Sequence, residues 1–405
     1  MPFRIALSGL NASQSDLNVT ANNVANTATN GFKGSRAEFA DLFAVSLQGV
    51  SANSSGNGVR VSNIAQQFSQ GNIEFTDSNL DLAISGQGFF ILSDSGALAY
   101  SRAGAFQVDR NGFVVNATQQ RLQVYPPLGS GGFNTGGLAD LRLQTTDAAP
   151  QATSEVEYVL NLPASAVPPA VAPFDPNDPN TFNQATSLTL FDSLGAAHTG
   201  TMYFTKTATA NQWEARLYID GTAVGAAQTL QYSNVGALTA PVGGLLTFPP
   251  HVPTTGAANM VIDVDLSRST QFGANFAVNS VTQDGFTTGR LIGIDIEETG
   301  IVQARFTNGR SQPLGQVAIA NFANAQGLQQ LGNTQWAETF SSGQALRGQA
   351  GNSGFGLVQS GALEASNVDI TEELVKMITA QRNFQANAQM ISTADAVTQT
   401  IINIR

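Results

Sequence analysis

The chain has 405 residues, with 18 Lys and Arg against 29 Asp and Glu, a formal net charge of −11, two His and no Cys. Nucleic acid and anionic membrane surfaces are poor partners for it, because both call for clustered cations that displace counterions from phosphate. Without Cys there are no disulfides, no thiolate nucleophile and no Cys-ligated zinc or iron–sulfur site.

The first 30 residues carry apolar side chains at Phe3, Leu7, Leu10, Leu17, Ala21 and Val24, a four–three alternation interrupted at Gln14. The spacing predicts a helix with one coiled-coil-type stripe, ending at Asn30-Gly31 because Gly adopts left-handed backbone without steric cost. The opening run Met1-Pro2-Phe3-Arg4-Ile5-Ala6-Leu7-Ser8 lacks the unbroken apolar stretch of a signal peptide, so export by the general secretory route is not expected. No run approaches the roughly 18 apolar residues of a membrane span, so no membrane insertion is expected.

The middle changes period. Ile262-Asp263-Val264-Asp265-Leu266, Ile292-Gly293-Ile294-Asp295-Ile296 and Val317-Ala318-Ile319 alternate as strands do, and Asn111-Gly112 sits between two strand-like runs as a hairpin turn would. Six of the 15 prolines fall between Pro163 and Pro179, and glycines crowd Gly129 to Gly137, which marks domain edges or long surface loops. From Gly221 to Ile262 there is no charged residue at all. Charged residues are 12% of the chain, about half the usual share, so the surface is built of Ser, Thr, Asn, Gln and 40 Gly. Neutral surfaces repel one another weakly, a property suited to assembly.

The last 36 residues return to helical spacing at Ile370, Leu374, Met377, Phe384, Ala388, Ile391, Ala394, Val397, Ile401 and Ile404. Asp369 with Glu372 reads as a capping box, and Arg405 suits the negative end of the helix dipole. Apolar burial along a single stripe falls short of the conformational entropy of ordering the N-terminal segment, so that helix needs a partner. The C-terminal stripe and then neighbouring copies are the expected partners. One reading is a helical hairpin packed on the chain's own β domain; the other is ends that fold on assembly.

Catalytic signals are sparse. His198 and His251 have no His or Cys ligand pattern near them, and packing or surface roles are expected. Asp263 with Asp265, and Asp295 with Glu297, place carboxylates on one strand face, most simply a wet one. Asp175-Pro-Asn-Asp178-Pro lacks the Gly and bidentate Glu of a calcium loop and reads as a rigid turn. No nucleotide-binding glycine motif occurs. No cofactor and no enzymatic activity are expected.

Three blocks go beyond periodicity. Ser8-Gly9-Leu10-Asn11-Ala12, with Asn22-Asn23-Val24-Ala25-Asn26-Thr27 running to Asn30-Gly31-Phe32-Lys33, resembles the N-terminus shared by bacterial flagellar rod and hook axial proteins. Leu80-Asp81-Leu82-Ala83-Ile84-Ser85-Gly86-Gln87-Gly88-Phe89-Phe90 is similar to that family's next signature. Gly361-Ala362-Leu363-Glu364-Ala365-Ser366-Asn367-Val368-Asp369, then Glu373-Leu374-Val375 and Gln381-Arg382-Asn383-Phe384-Gln385-Ala386-Asn387-Ala388, resembles its C-terminal block. The length and the inserted middle, where Leu190-Phe191-Asp192-Ser193-Leu194-Gly195, His198, Tyr203-Phe204 and Trp213 stand, are similar to the hook branch of the family.

The resemblance implies a mainly β chain with terminal α-helices, coiled-coil-like helices coming from both termini. Helical core segments at 1–34 and 366–405 are followed by connecting segments at 35–75 and 350–365. A split β domain covers 76–145 and 286–349, and an outer β domain is inserted at 146–285. The implied function is mechanical: a curved, flexible extracellular tube in the flagellar hook and basal body, a universal joint carrying torque from rod to filament. Outer contacts without strong ion pairs would let such a joint slide between registers. Phe3, Leu7, Leu10, Leu17, Val24, Leu374, Ile378, Phe384, Ile391 and Ile401 are expected to hold the tube core. Asn22, Asn23, Asn26, Asn367 and Asn387 are expected to make amide bonds between subunits.

The implied partners are further copies of the chain, the distal rod, the hook cap, the hook–filament junction proteins and the flagellar type III export gate, which Phe3 and Leu7 would engage. Three alternatives stay open: a distal rod subunit, an extracellular β-rich adhesin, and a metal-dependent hydrolase using Asp263, Asp265 and His251.

Overall fold

The computed structural model describes residues 2–42, 56–129, 131–143 and 147–403. Ile404, Arg405 and the expected domain boundary at 145/146 lie outside these residues. Helix α1 spans Pro2–Ala25 and helix α2 spans Ile370–Asn403, with β structure between them. Asp369 caps α2, its Oδ1 accepting the N–H groups of Thr371 (2.7 Å) and Glu372 (3.2 Å). The capping box is only half made, because the Glu372 carboxylate pairs with Lys376 at 2.8 Å.

α1 stops at Ala25, short of the Asn30-Gly31 end that its pattern predicts. Side chains compete with the helical ladder here: Thr27 Oγ1 donates to the Val24 carbonyl and Asn26 Nδ2 to the Asn22 carbonyl. Gly31 serves a different end. Its φ of +70° comes with a Cβ direction only 2.4 Å from the Ala103 nitrogen, so two backbones meet where no side chain fits.

The chain forms two compact units. The first comprises Met1–Thr145, Gly293–Arg305 and Ser311–Arg405. In it the N-terminal and C-terminal halves run side by side as antiparallel pairs: Ile73–Phe75 with Ala362–Glu364, Leu82–Ser85 with Leu357–Ser360, and Phe89–Asp94 with Ser311–Asn321. Two apolar cores lie within this unit. One gathers Ile84, Phe90, Leu92, Leu122, Val317 and Ile319, and the other Phe89, Tyr100, Phe322 and Trp336. A separate two-stranded ribbon, Ser35–Asp41 with Val59–Gln66, packs on α1.

The second unit comprises Thr146–Ile292 and Phe306–Arg310. One sheet orders Gln184–Phe191, Ala197–Lys206, Gln212–Ile219, Gln228–Tyr232 and Leu238–Ala240. The other is built on Glu155–Pro163, parallel to Asp263–Asp265 and Thr270–Phe272 and antiparallel to Ala277–Gln283. Gln212–Ile219 alternates strictly between half-exposed and buried positions, which sends Trp213, Ala215, Leu217 and Ile219 inward. They join Tyr158, Met202, Phe204 and Val264 in one core. The Pro163–Pro179 segment is a connection between strands, and the Asn111-Gly112 turn joins Gln107–Val108 to Val114–Val115.

Candidate functional site

The terminal helices are rooted in a polar network that spacing alone does not announce. Lys33 follows α1 and Glu364 precedes α2, and their side chains meet at 2.6 Å with no exposure on either. Glu364 Oε2 also accepts from Arg102 Nη1 at 3.1 Å, and Oε1 from the Gly71 N–H at 2.9 Å. Burial pushes the Lys33 ammonium below its ordinary value, partly offset by the Glu364 charge, and burial likewise lowers Arg102. Deleting Glu364 would strand two buried cations, whereas deleting either cation leaves a neutral buried pair that has lost a hydrogen bond. Lys33 and Glu364 both lie within family-like blocks of a charge-poor chain, and that placement was the available signal.

Four of the five Asn expected between subunits hydrogen-bond inside the chain, two of them at the helix roots. Asn23 is buried; its amide donates to the Ser35 carbonyl (2.8 Å) and to Glu373 (3.1 Å) and accepts the Ser35 N–H. Asn367 accepts the Gly34 N–H at 2.8 Å and donates to the Gln67 carbonyl at 2.7 Å. These amides replace the ladder bonds that the chain loses where it leaves α1 and enters α2, so their geometry requires no second copy. Asn26, just past the end of α1, and Asn387, within α2, donate to carbonyls four residues back, and Asn22 is exposed.

The helices meet through small residues. Ala6, Ala12, Ser13, Val19 and Thr20 are the buried positions of α1 beside Asn23, and Ala380 is the buried apolar position of α2. At Gly9 a Cβ would lie 2.5 Å from Asn387 Oδ1, so glycine allows close approach. The stripe-to-stripe packing expected of the large apolar residues is therefore corrected. Phe3 (50%), Leu374 (45%), Ile378 (51%) and Ile401 (65%) remain exposed, as does Leu7. Leu10, Leu17, Val24, Phe384 and Ile391 are half-buried. Phe3, Ala386, Met390, Ala394, Val397 and Ile401 line an apolar groove of about 810 Å³ along the far end of the pair. Nearer the roots of the helices, burial and then the Glu373 charge raise the Asp16 carboxyl above its ordinary value.

The second unit holds an ionic cluster that the sequence reading missed. His198, one strand position from solvent, faces inward with Nδ1 2.6 Å from Asp220 and Nε2 3.2 Å from Asp192. Burial would depress the imidazole, but the bonds to Asp220 and Asp192 outweigh it and raise its pKa above 6.5. Burial likewise opposes the Asp192 charge, yet donation from Thr255, His198 and the Ala196 and Leu194 N–H groups holds that carboxyl at about 2. Both ring nitrogens are taken by carboxylates, so His198 has no lone pair free to activate a hydroxyl. The cluster ties a turn to the sheet.

Asp263 and Asp265 share one strand face as expected, while His251 is bridged through its backbone to Met260. Among the described residues no group of three or more His, Asp or Glu is placed to hold a metal ion. Asp175 and Asp178 each accept the backbone N–H two residues on, which makes the Pro-rich segment a pair of rigid turns. No helix among the described residues is long and apolar enough to cross a membrane.

Comparison with known proteins identifies the arrangement. Four flagellar families match segments of the chain: the flagella basal body rod protein at residues 3–33, the flagellar hook protein FlgE/F/G D1 domain at 83–156, the flagellar basal body protein FlaE D2 domain at 161–286, and the flagellar basal body rod FlgEFG protein C-terminal at 359–404. The chain is 39% identical to the flagellar hook protein FlgE of Escherichia coli, covering 100% of both. It is 31% identical to that of Borreliella burgdorferi, covering 98% of both. The Helicobacter pylori flagellar hook protein FlgE2 shares the fold with a TM-score of 0.56 at 14% identity, over 72% of this chain and 100% of that one. With full-length likeness above 30% and matching segments at both ends and in the middle, the chain belongs to the flagellar hook protein family.

Proposed function

We propose that the chain is a structural subunit of the bacterial flagellar hook, polymerising through its terminal helices into a curved tube that bends while transmitting torque. The observation that carries this reading is the orientation of the helix pair. Small residues fill its internal seam, while Phe3 and Ile401, in the apolar groove, and Leu374 and Ile378, nearer the start of α2, stay exposed. Exposed apolar area at this density, on long helices, marks a surface meant to be covered. Further copies of the chain cover it in this reading, with Leu7, Leu10, Leu17, Val24, Phe384 and Ile391 completing the tube core. Asn22, exposed on α1, is the amide best placed to reach a neighbour. The distal rod, hook cap and hook–filament junction proteins would meet the two ends of the tube.

Sedimentation and electron microscopy of the full chain, against a version lacking residues 1–30 and 370–405, test this at rising concentration. Curved tubes from the full chain and monomers from the truncation are expected. Straight tubes would favour a distal rod subunit, and monomers from both would remove the assembly reading. Export through the flagellar type III gate is part of the same proposal, with Phe3 and Leu7 as its signal. Phe3→Ala is expected to abolish secretion; unchanged secretion would remove the signal.

A further inference from the structure

One aromatic side chain in the first unit stands entirely clear of the fold. Phe340 is 105% exposed, so its ring gains nothing from its own chain. The turn that carries it is nevertheless rigidly built. Thr339 Oγ1 accepts the N–H groups of Ser341 (3.1 Å) and Ser342 (3.2 Å) and donates to the Gly327 carbonyl at 2.6 Å. Asn324 Nδ2 donates to the Ser341 carbonyl at 3.0 Å. Gly327 lies against the turn so closely that a Cβ there would sit 2.5 Å from the Ser341 carbonyl carbon. A pre-ordered aromatic ring in water loses little conformational freedom on binding, which is how interface anchors achieve their effect.

Phe340 follows the open end of the antiparallel hairpin formed by Gln329–Gly332 and Gln335–Ala337. The other end is closed by Asn333 and Thr334, both left-handed at φ 51° and 56°. There a recess of about 420 Å³ opens between the hairpin and the last turn of α1, lined mostly by uncharged polar side chains such as Asn22, Asn26 and Gln330, with Phe32 and the nearly buried Trp336 as its aromatic part. Lys33, its one ionisable lining residue among those described, is buried against Glu364. The knob is flanked by Thr339, Ser341 and Ser342, so neither side brings an unpaired charge into the contact.

Knob and recess lie at opposite ends of one hairpin, and a contact between them joins two copies head to tail. Such a heterologous contact uses different patches on the two partners, and where its rotation does not close it propagates a helical filament. We propose that Phe340 of one copy seats in the recess beside Asn22 and Trp336 of the next. The inference rests on the polymerising reading above and adds to it a specific contact outside the terminal apolar groove.

The Cys-free sequence makes the test direct. Phe340→Ala is expected to raise the concentration needed for sedimentation about tenfold or more, as loss of an interface anchor does. Its urea midpoint should stay at the wild-type value, because the ring touches nothing in the monomer. Full-length chain carrying both Phe340→Cys and Asn22→Cys, assembled and then oxidised, should give a ladder of covalent oligomers, while either single variant gives monomers. Phe340→Ala assembling at the wild-type concentration overturns the inference, as does an assembled double variant that forms no ladder. Covalent dimers from Phe340→Cys alone would reveal ring-to-ring contact and overturn it as well. A wild-type chain that never assembles removes both readings, whereas wild-type tubes beside unchanged Phe340→Ala tubes remove this one alone.

Discussion

The second unit and the terminal helix pair use apolar side chains in opposite ways. In the second unit large side chains fill the core, with Trp213, Tyr158 and Phe204 all fully enclosed. In the helix pair the enclosed residues are Ala6, Ala12 and Ala380, while Leu374, Ile378 and Ile401 face out. A buried large side chain stabilises by about 1.5–3 kcal/mol and an alanine methyl by far less. One region is thus complete within a single chain, and the other completes its burial only when something covers it. Apolar content alone does not separate the two; the size of what is buried does.

The largest effect expected from this comparison is at Trp213. Trp213→Ala should cost about 3–5 kcal/mol in the second unit, the usual loss on emptying an aromatic site. Hydrogen exchange across the strands of that unit would register it. The other tryptophan, Trp336 in the first unit, should report an unchanged transition by fluorescence. A shared transition would mean that the units do not fold separately and would blunt the comparison.

A smaller effect on folding, with a large one on assembly, is expected on α2. Ile378→Ser and Ile401→Ser should shift monomer stability by no more than about 0.5 kcal/mol, as exposed substitutions do. Both should abolish sedimenting polymer. A strongly destabilised monomer would show that these side chains are already covered within the chain.

The smallest expected effect is on pH dependence in the second unit. His198 holds its proton above the ordinary 6.5, so its contribution is fully present below pH 6.5 and fades as pH climbs through the raised value. Asp192, held at about 2, contributes above the ordinary carboxylate value of 3.8, and that contribution is lost as pH falls through 2. Thermal unfolding of the second unit should therefore peak between about pH 4 and 6.5. His198→Asn should flatten the alkaline side, and an unchanged slope would dissociate the imidazole from stability.

Much of the fold was legible in the sequence because period is a local property. The four–three spacing around Leu7 and Leu374 and the alternation around Val264 each specify an element without knowledge of its neighbours. The family-like blocks around Asn22 and Glu364 brought the architecture with them. The helix end at Asn30-Gly31 was misread because Gly31 has two uses, and its close approach to Ala103 involves a distant strand. Asn23 and Asn367 serve the helix roots within the chain, and in sequence an amide that satisfies the backbone looks like one that reaches a neighbour.

What the sequence determined by itself was the kind of element at each position, the lack of charge, and membership of a family of axial proteins. The tertiary structure decided which face of each helix is covered, and by what. It brought Lys33 to Glu364 across 331 residues and Arg102 to Glu364 across 262. It also enclosed His198 between two carboxylates. Periodicity reports that a face is apolar, but whether that face is filled within the chain depends on the distance between backbones. At Gly9 that distance is so short that the helices touch through their small residues, leaving their large ones outside.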